Sequence, residues 1–207
     1  MIEALAPILS AGEQPASLLD MSDFPKHTYS KSQIIAAGKA IRAGLPMGDE
    51  AIEAFRIAHS WRSAHVYPML SMRSELSRCL KQHDIHGLTA ARLKRMKSII
   101  RKLRGDTPYT LYQIQDIGGC RAIVDSIGDV RKTIKHFLAT TRHNFNKPND
   151  YILAPKVTGY RSHHLMMKFI PDEENKEEER FSRQIIEIQV RTRLQHAWAT
   201  AVEAVGL

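Results

Sequence analysis

Tyr112-Gln-Ile-Gln-Asp116-Ile-Gly-Gly-Cys-Arg121 runs straight into Ala122-Ile123-Val124. The apolar run after Arg121 predicts a buried strand, bounded by Gly118 and Gly119 on one side and Asp125-Ser126 on the other. Paired glycines let the backbone bend and come close to a ligand. A carboxylate, Asp116, and a guanidinium, Arg121, thus flank a Gly-Gly corner at a strand end. Such a corner suits a metal-bound polyphosphate, the carboxylate taking Mg²⁺ and the arginine taking phosphate oxygens. Ordinary charged turns share this pattern, and two later stretches separate the readings.

The first is Gly159-Tyr160-Arg161-Ser162-His163-His164, a glycine turn that leads a tyrosine, an arginine and a histidine into a strand. Tyrosine stacks on bases and arginine grips phosphate or sugar oxygens; a tight turn with polar surface residues is the plain alternative. The second is Glu187-Ile-Gln-Val-Arg191-Thr-Arg193. Glu187, Gln189 and Arg191 alternate, so they share one sheet face. Burying them without partners is costly, which makes a ligand-facing surface the expectation. Glu187 is then a second Mg²⁺ ligand or the base that deprotonates a hydroxyl nucleophile.

Outward from these stretches, residues 1–29, with Pro7, Pro15 and Pro25, predict an arm. Ser30-Lys-Ser-Gln33 starts a helix with Ile34, Ile35, Ala37 and Ile41 on one face, ended by Gly44-Leu-Pro46. Residues 48–82 predict the longest helical stretch, carrying Ile52, Phe55, Ala58, Val66, Met69, Met72, Leu76 and Leu80, with a kink or break at Pro68. Trp61 is expected as a core anchor and His65 as a capped or half-exposed side chain. Thr89–Arg104 predicts a helix with Leu93, Met96, Ile100 and Leu103 on one face, stopped by Gly105 to Pro108. Arg92, Lys94, Arg95, Lys97, Arg101, Lys102 and Arg104 crowd its other side with no acidic neighbour, a repulsion that phosphates would relieve.

Further on, Ile127–Thr140 predicts a helix, 141–150 a basic Asn-rich loop and Tyr151–Leu153 a short strand. Leu165–Ile170 and Gln184–Val190 predict strands on either side of an acidic solvated loop, 172–180. Thr192–Val205 predicts a helix with Leu194, Ala197, Trp198, Ala201 and Val205 inward. The expected fold class is α/β (α+β), a mixed sheet with flanking helices behind a helical layer.

At 207 residues and 43% hydrophobic content, the chain suits one domain, or one domain with a helical extension. No apolar run reaches membrane-spanning length, and Met1 to Ser10 lacks the basic start of a signal peptide. Cys79 and Cys120 are isolated, which points to a reducing cytoplasm. The histidines show no metal-ligand spacing. The net charge is +8, yet Asp172 to Glu179 holds −5, so the remainder carries +13. That balance favours polyanionic partners, nucleotides or RNA, and is also compatible with a basic surface that aids solubility.

Four motifs in order resemble the RelA/SpoT synthetase domain over roughly residues 88–200. They are Arg92-Leu-Lys94-x-x-x-Ser98-Ile99-x-x-Lys102, Asp116-Ile-Gly-Gly-Cys-Arg121, Gly159-Tyr160-Arg161-Ser162-x-His164 and Glu187-Ile-Gln189-Val-Arg191-Thr192. The resemblance implies an ATP-dependent pyrophosphokinase that moves the β,γ-pyrophosphate of ATP to a nucleotide 3′-hydroxyl. It also implies a nucleotidyltransferase-like sheet, a domain at 86–207 and an arm and helical extension at 1–85. Arg92, Lys94, Ser98 and Lys102 would line the ATP phosphates, with Arg121 on the donor nucleotide. Asp116 and Glu187 would be the catalytic and Mg²⁺-binding carboxylates. Tyr160 would stack on the acceptor base, and Arg161, His164, Gln189 and Arg191 would support the acceptor.

Trp61-Arg62-Ser-Ala-His65-x-Tyr67-Pro68 and Gln195-His196-Ala-Trp198-Ala-Thr-Ala-Val-Glu203 look more like the toxic small synthetases, stand-alone or fused to an antitoxin. That branch implies the 3′-terminal adenosine of tRNA as the favoured acceptor. The basic body offers Arg142, His143, Lys147, Arg73 and Arg78 as candidate tRNA contacts, with a solvated loop as the plain alternative. (p)ppGpp synthesis from GDP or GTP is the alternative, and an inactive RNA- or nucleotide-binding module is another. The chain ends within a helix that the family follows with more structure, so a C-terminal truncation or a split toxin is expected. The residues alone leave the acceptor, the oligomeric state and any antitoxin partner open.

Overall fold

The computed structural model describes residues 24–25, 28–44, 48–107, 109–146, 148–182 and 184–205. In chain order its elements are helices α1 (Lys31–Ala43), α2 (Asp49–Ser63) and α3 (Val66–Gln82), strand β1 (Gly87–Leu93), α4 (Met96–Arg104), β2 (Gly118–Val124), α5 (Ile127–Thr140), the short strands β3 (Asn144–Phe145) and β4 (Asn149–Asp150), β5 (His163–Lys168), β6 (Ile185–Thr192) and α6 (Arg193–Val205). The sheet is mixed and six-stranded, ordered β1-β2-β6-β5-β3, with β4 also on β5. Only β2 and β6 run parallel among these pairs. This is the expected α+β class.

Local chemistry explains the helix ends. The Ser30 hydroxyl accepts from the Gln33 N–H while the Gln33 side chain accepts from the Ser30 N–H, a closed capping box for α1. Ser126 caps α5 by accepting from Asp129 N–H. The long helical stretch breaks at Ala64-His65, so that Pro68 falls in the first turn of α3, where its missing N–H removes no helical bond. The expected arm lies mostly outside the described residues, as do Pro46, Pro108 and Lys147.

Two hydrophobic clusters hold the elements together. One joins α3 and α5 to the back of the sheet through Met69, Met72, Leu76, Phe137, Cys120, Ala122, Leu165, Met167, Ile186 and Ile188. It contains residues from both sides of the 85/86 division. The other gathers α1, α2 and α4 around Ile34, Ile41, Trp61, Ile99, Leu103, Leu111 and Ile117. Trp61 is 2% exposed and stacks on Tyr112 at 5.3 Å, which bears out the core-anchor expectation. Gly118 lies where the α2–α3 junction meets the sheet. A Cβ there would come within 2.8 Å of Ile186 Cδ1 and 3.3 Å of His65 Cβ, so the bare Cα lets the junction pack closely on the sheet.

Several expectations are corrected. Thr89–Leu93 is not helical: Gly87–Leu93 alternates in burial and pairs along its whole length with β2, so α4 begins only at Met96. Leu93-to-Met96 spacing mimics a helical face, but period two wins where a strand edge is available. His65 is 1% exposed, its Nδ1 2.8 Å from the Trp61 carbonyl. Ile52 and Phe55 face solvent, because α2 meets α1 through Ala51, Ala54, Ile57 and Ala58. Tyr151–Leu153 is a turn, held by Asp150 Oδ1, which accepts from the N–H of Ile152 and Leu153. The acidic segment is not simply solvated: Lys176–Phe181 forms a 3₁₀ turn that buries Glu178 and Phe181. In α6, Leu194 and Trp198 are 83% and 53% exposed while Ala199 is buried. The inner side of α6 faces a polar pocket rather than a core, so its apolar stripe is not its buried one.

Candidate active site

Strand alternation builds the pocket. Register places Arg92 opposite Gly119, Ala90 opposite Arg121, Gly119 opposite Glu187, Arg121 opposite Gln189 and His164 opposite Gln189. All of these point away from the α3–α5 core, so the front of the sheet is polar where its back is apolar. The resulting cavity of about 560 Å³ is lined by Arg92, Lys94, Asp116, Arg121, Tyr160 and Glu187 among others, with His164, Gln189 and Arg191 also on its walls. The alternation reading of Glu187, Gln189 and Arg191 therefore holds.

Asp116 precedes β2 and lies between two ammonium groups, Lys94 Nζ at 2.8 Å from Oδ2 and Lys102 Nζ at 3.0 Å from Oδ1. Burial raises its pKa, but the hydrogen bonds and charges of the two lysines outweigh this and hold the carboxyl below its usual value. Glu187 is held likewise. Burial pushes it up, while His164 Nδ1, 2.8 Å from Oε1, and the Gln189 amide, which donates to Oε2 at 2.8 Å, bring it below the usual range. Tyr160 Oη is 2.8 Å from His164 Nε2, so phenol, imidazole and carboxylate form one chain. Burial raises the Tyr160 pKa.

Two arginines lie further along the same sheet face, Arg121 opposite Gln189 on β2 and Arg191 on β6. Burial lowers the pKa of both Arg121 and Arg191, that of Arg191 to about 10; the Arg121 charge depresses Arg191 further, and the Arg92 charge depresses Arg121. The Nε atoms of both are buried without a hydrogen-bond partner. Arg191 is 3% exposed. Two desolvated guanidiniums side by side in a cavity are a receptor for a multiply charged anion. The two carboxylates also fit a hard, oxygen-seeking ion. Among the described residues no group of three or more His, Cys, Asp or Glu converges, so protein alone would not encage a metal. One or two carboxylates with ligand oxygens are the usual protein share for Mg²⁺.

Not every expected residue gathers here. Ser98 lies in the first turn of α4 and is not on the pocket wall. Lys102 reaches the site through Asp116. Arg161 is exposed and donates to the Gly159 carbonyl. Sequence reasoning missed Lys156, Thr158, Ala199, Val202 and Glu203, which complete the lining. The spacing of Ala199, Val202 and Glu203 on one helix face was the available signal. Glu203 Oε1 is 3.5 Å from Arg92 Nη1. Of the proposed tRNA contacts, Arg142 is exposed but already donates to Glu178 and to the Ile170 carbonyl, and His143 is 4% exposed beside Glu75.

A family profile described as "Region found in RelA / SpoT proteins" matches residues 91–205, more than half of the chain. The chain is 29% identical over 120 residues to GTP pyrophosphokinase YjbM of Bacillus subtilis, covering 57% of this chain and 55% of that protein. It is 32% identical over 117 residues to YwaC, a GTP pyrophosphokinase of the same organism, covering 54% of each. The chain thus spans about half the length of these curated relatives. Among solved structures, small alarmone synthetase 1 of B. subtilis, bound to its product pppGpp, shares the fold with a TM-score of 0.58 at 23% identity, over 76% of this chain and 82% of that one. A GTP pyrophosphokinase family protein of Streptococcus pneumoniae gives 0.58 at 25% identity, over 77% of each chain.

Proposed function

The chain belongs to the RelA/SpoT family, and we propose that it is a pyrophosphokinase that moves the β,γ-pyrophosphate of ATP to the 3′-hydroxyl of a guanosine nucleotide. The carrying observation is the convergence of Asp116 and Glu187 with Arg121 and Arg191, whose buried Nε atoms lack a hydrogen-bond partner, in one cavity. In this reading Arg92, Lys94, Lys102 and Arg121 neutralise the donor phosphates. Tyr160 stacks on the acceptor base, worth about 1–3 kcal/mol. Glu187 takes the proton of the 3′-hydroxyl as its oxygen bonds to the β-phosphorus. The bond from that phosphorus to the α,β-bridging oxygen breaks, and AMP departs with the oxygen. The depressed pKa of Glu187 keeps it ionised, with a carboxylate oxygen as the acceptor, although it lowers the group's basicity. A bound Mg²⁺, held by Asp116 and Glu187, would supply neutralisation of the developing phosphate charge.

A guanosine acceptor is favoured by the activity that the relatives' names carry, by the burial of His143 beside Glu75 and by the pairing of Arg142 with Glu178. The second reading, a growth-inhibiting toxin that modifies the tRNA 3′-terminal adenosine and is restrained by an antitoxin, rests on the exposed Arg95, Lys97 and Arg101 next to the Asp116 corner. Incubation with γ-labelled ATP and GDP, GTP or deacylated tRNA decides between them. Label on GDP or GTP is expected. Label confined to tRNA, falling steeply between about 50 and 200 mM salt, selects the second reading. No transfer to any acceptor sinks both.

A further inference from the structure

We infer that Trp198 is the positioning residue that sets the acceptor turn, a role that rests on the reading of Tyr160 as the acceptor's stacking surface. The turn runs from Lys156 to Tyr160. It is closed by Gly159 N–H donating to the Lys156 carbonyl at 2.8 Å and by Lys156 N–H donating to the Tyr160 carbonyl at 3.3 Å. Gly159 has φ +76°, a left-handed conformation that side chains resist. Within this segment Lys156 Nζ lies over the rings of Tyr151 and Tyr160, at 4.6 and 5.4 Å. Trp198 reaches the turn from a different element, α6.

The contact has two parts. The indole N–H donates to the Thr158 carbonyl at 3.3 Å. The ring edge lies against the bare Cα of Gly159, where a Cβ would meet Nε1 at 3.3 Å and Cε2 and Cζ2 at 3.5 Å. Trp198 remains 53% exposed, so it does not serve as a core filler. It is a large, rigid side chain whose polar tip and flat edge are both spent on one five-residue turn. The next pocket-facing positions of the same helix, Ala199, Val202 and Glu203, line the cavity. Trp198 thereby fixes the plane in which Tyr160 is presented, and Gly159 is glycine both for its φ and for the indole that rests on it.

The test separates acceptor from donor. With GDP as acceptor, Trp198→Ala raises the KM for GDP about tenfold, the size of one lost stacking geometry, and leaves the KM for ATP, kcat and the melting temperature near native values. Trp198→Phe, which keeps a ring and loses the N–H, falls between. Gly159→Ala raises the GDP KM in the native background, and by a smaller factor when Trp198 is already alanine, because the ring that the new methyl would press on is gone and only the φ strain remains. Equal rises in both KM values, or a loss confined to melting temperature, overturn the inference. Fluorine NMR of protein carrying 5-fluorotryptophan gives a readout free of substrate. Gly159→Ala shifts the Trp198 signal, assigned by its loss in Trp198→Phe, and spares that of buried Trp61; an unmoved Trp198 signal overturns the brace. If the native chain transfers nothing to GDP, the functional reading fails and the fluorine shift alone decides.

Discussion

Two clusters of charge in this molecule use the same residue types to opposite ends. In the pocket, Asp116 and Glu187 face Arg121 and Arg191, whose Nε atoms are buried and unpartnered. Beside α3, Glu178 is surrounded. Tyr67 Oη donates to its Oε1 at 2.5 Å, and Arg142 Nη2 and the Asp172 N–H donate to its Oε2 at 2.8 and 2.7 Å. Arg142 Nε adds a bond to the Ile170 carbonyl at 2.9 Å. The second network is closed and ties the segment after β5 to a core helix. The first is open on its cationic side and leaves capacity for an anion. Completeness of pairing, not residue type, separates scaffold from site.

The largest effect should come from the open cluster. Glu187→Gln is expected to lower turnover by about 10²–10⁴-fold with little change in urea stability, because the amide cannot accept the hydroxyl proton. Near-native turnover in the labelling assay would remove Glu187 from the proposed chemistry. Next, Glu178→Ala should cost about 1–3 kcal/mol of stability, since it leaves the Tyr67 hydroxyl and the Asp172 N–H without their buried acceptor. Activity per folded molecule should stay near native. Urea titration and specific activity of the folded fraction check this, and a variant that keeps its stability while losing activity would reverse the contrast. Third, Tyr160→Ala should weaken acceptor binding by about 1–3 kcal/mol and spare ATP; calorimetry with GDP and with a non-hydrolysable ATP analogue measures each arm.

The smallest effect concerns pH. Asp150 is raised by burial but lowered more by the Arg131 hydrogen bond and by the N–H groups of Leu153 and Ile152, for a net depressed pKa. A depressed carboxylate contributes stability above its unfolded pKa, and that contribution fades as pH falls through the folded value. Asp150→Asn should therefore flatten the acid side of the stability curve, below about pH 4. Identical acid slopes for the two proteins would show that Asp150 carries no such linkage.

Much of this was legible in the chain. Ile127–Thr140 is the observed α5, and the β6 alternation correctly placed Glu187, Gln189 and Arg191 on one face. What failed did so for physical reasons. The β1 residues carry little β-branched character, and their strand identity comes from pairing with β2, a partner that local spacing does not reveal. Arg142 and His143 looked like free cations because their partners, Glu178 and Glu75, lie 36 and 68 residues away in sequence. Apolar periodicity turns Leu194 and Trp198 inward, but it cannot show that the side of α6 that meets the fold is the one carrying Ala199, Val202 and Glu203, while Leu194 and Trp198 are left exposed.

The parallel pairing of β2 with β6 has a consequence in time. Asp116 and Arg121 belong to one strand and its approach, Glu187 to Arg191 to the other, and nearly the whole of α5 to β5 lies between them. Loop-closure entropy makes such distant pairings slow relative to helices and hairpins. On a ribosome, β6 emerges after the other described strands. Asp116 and Glu187 thus meet only when β6 is seated between β2 and β5, and a nascent chain holds these charges apart until that strand is out.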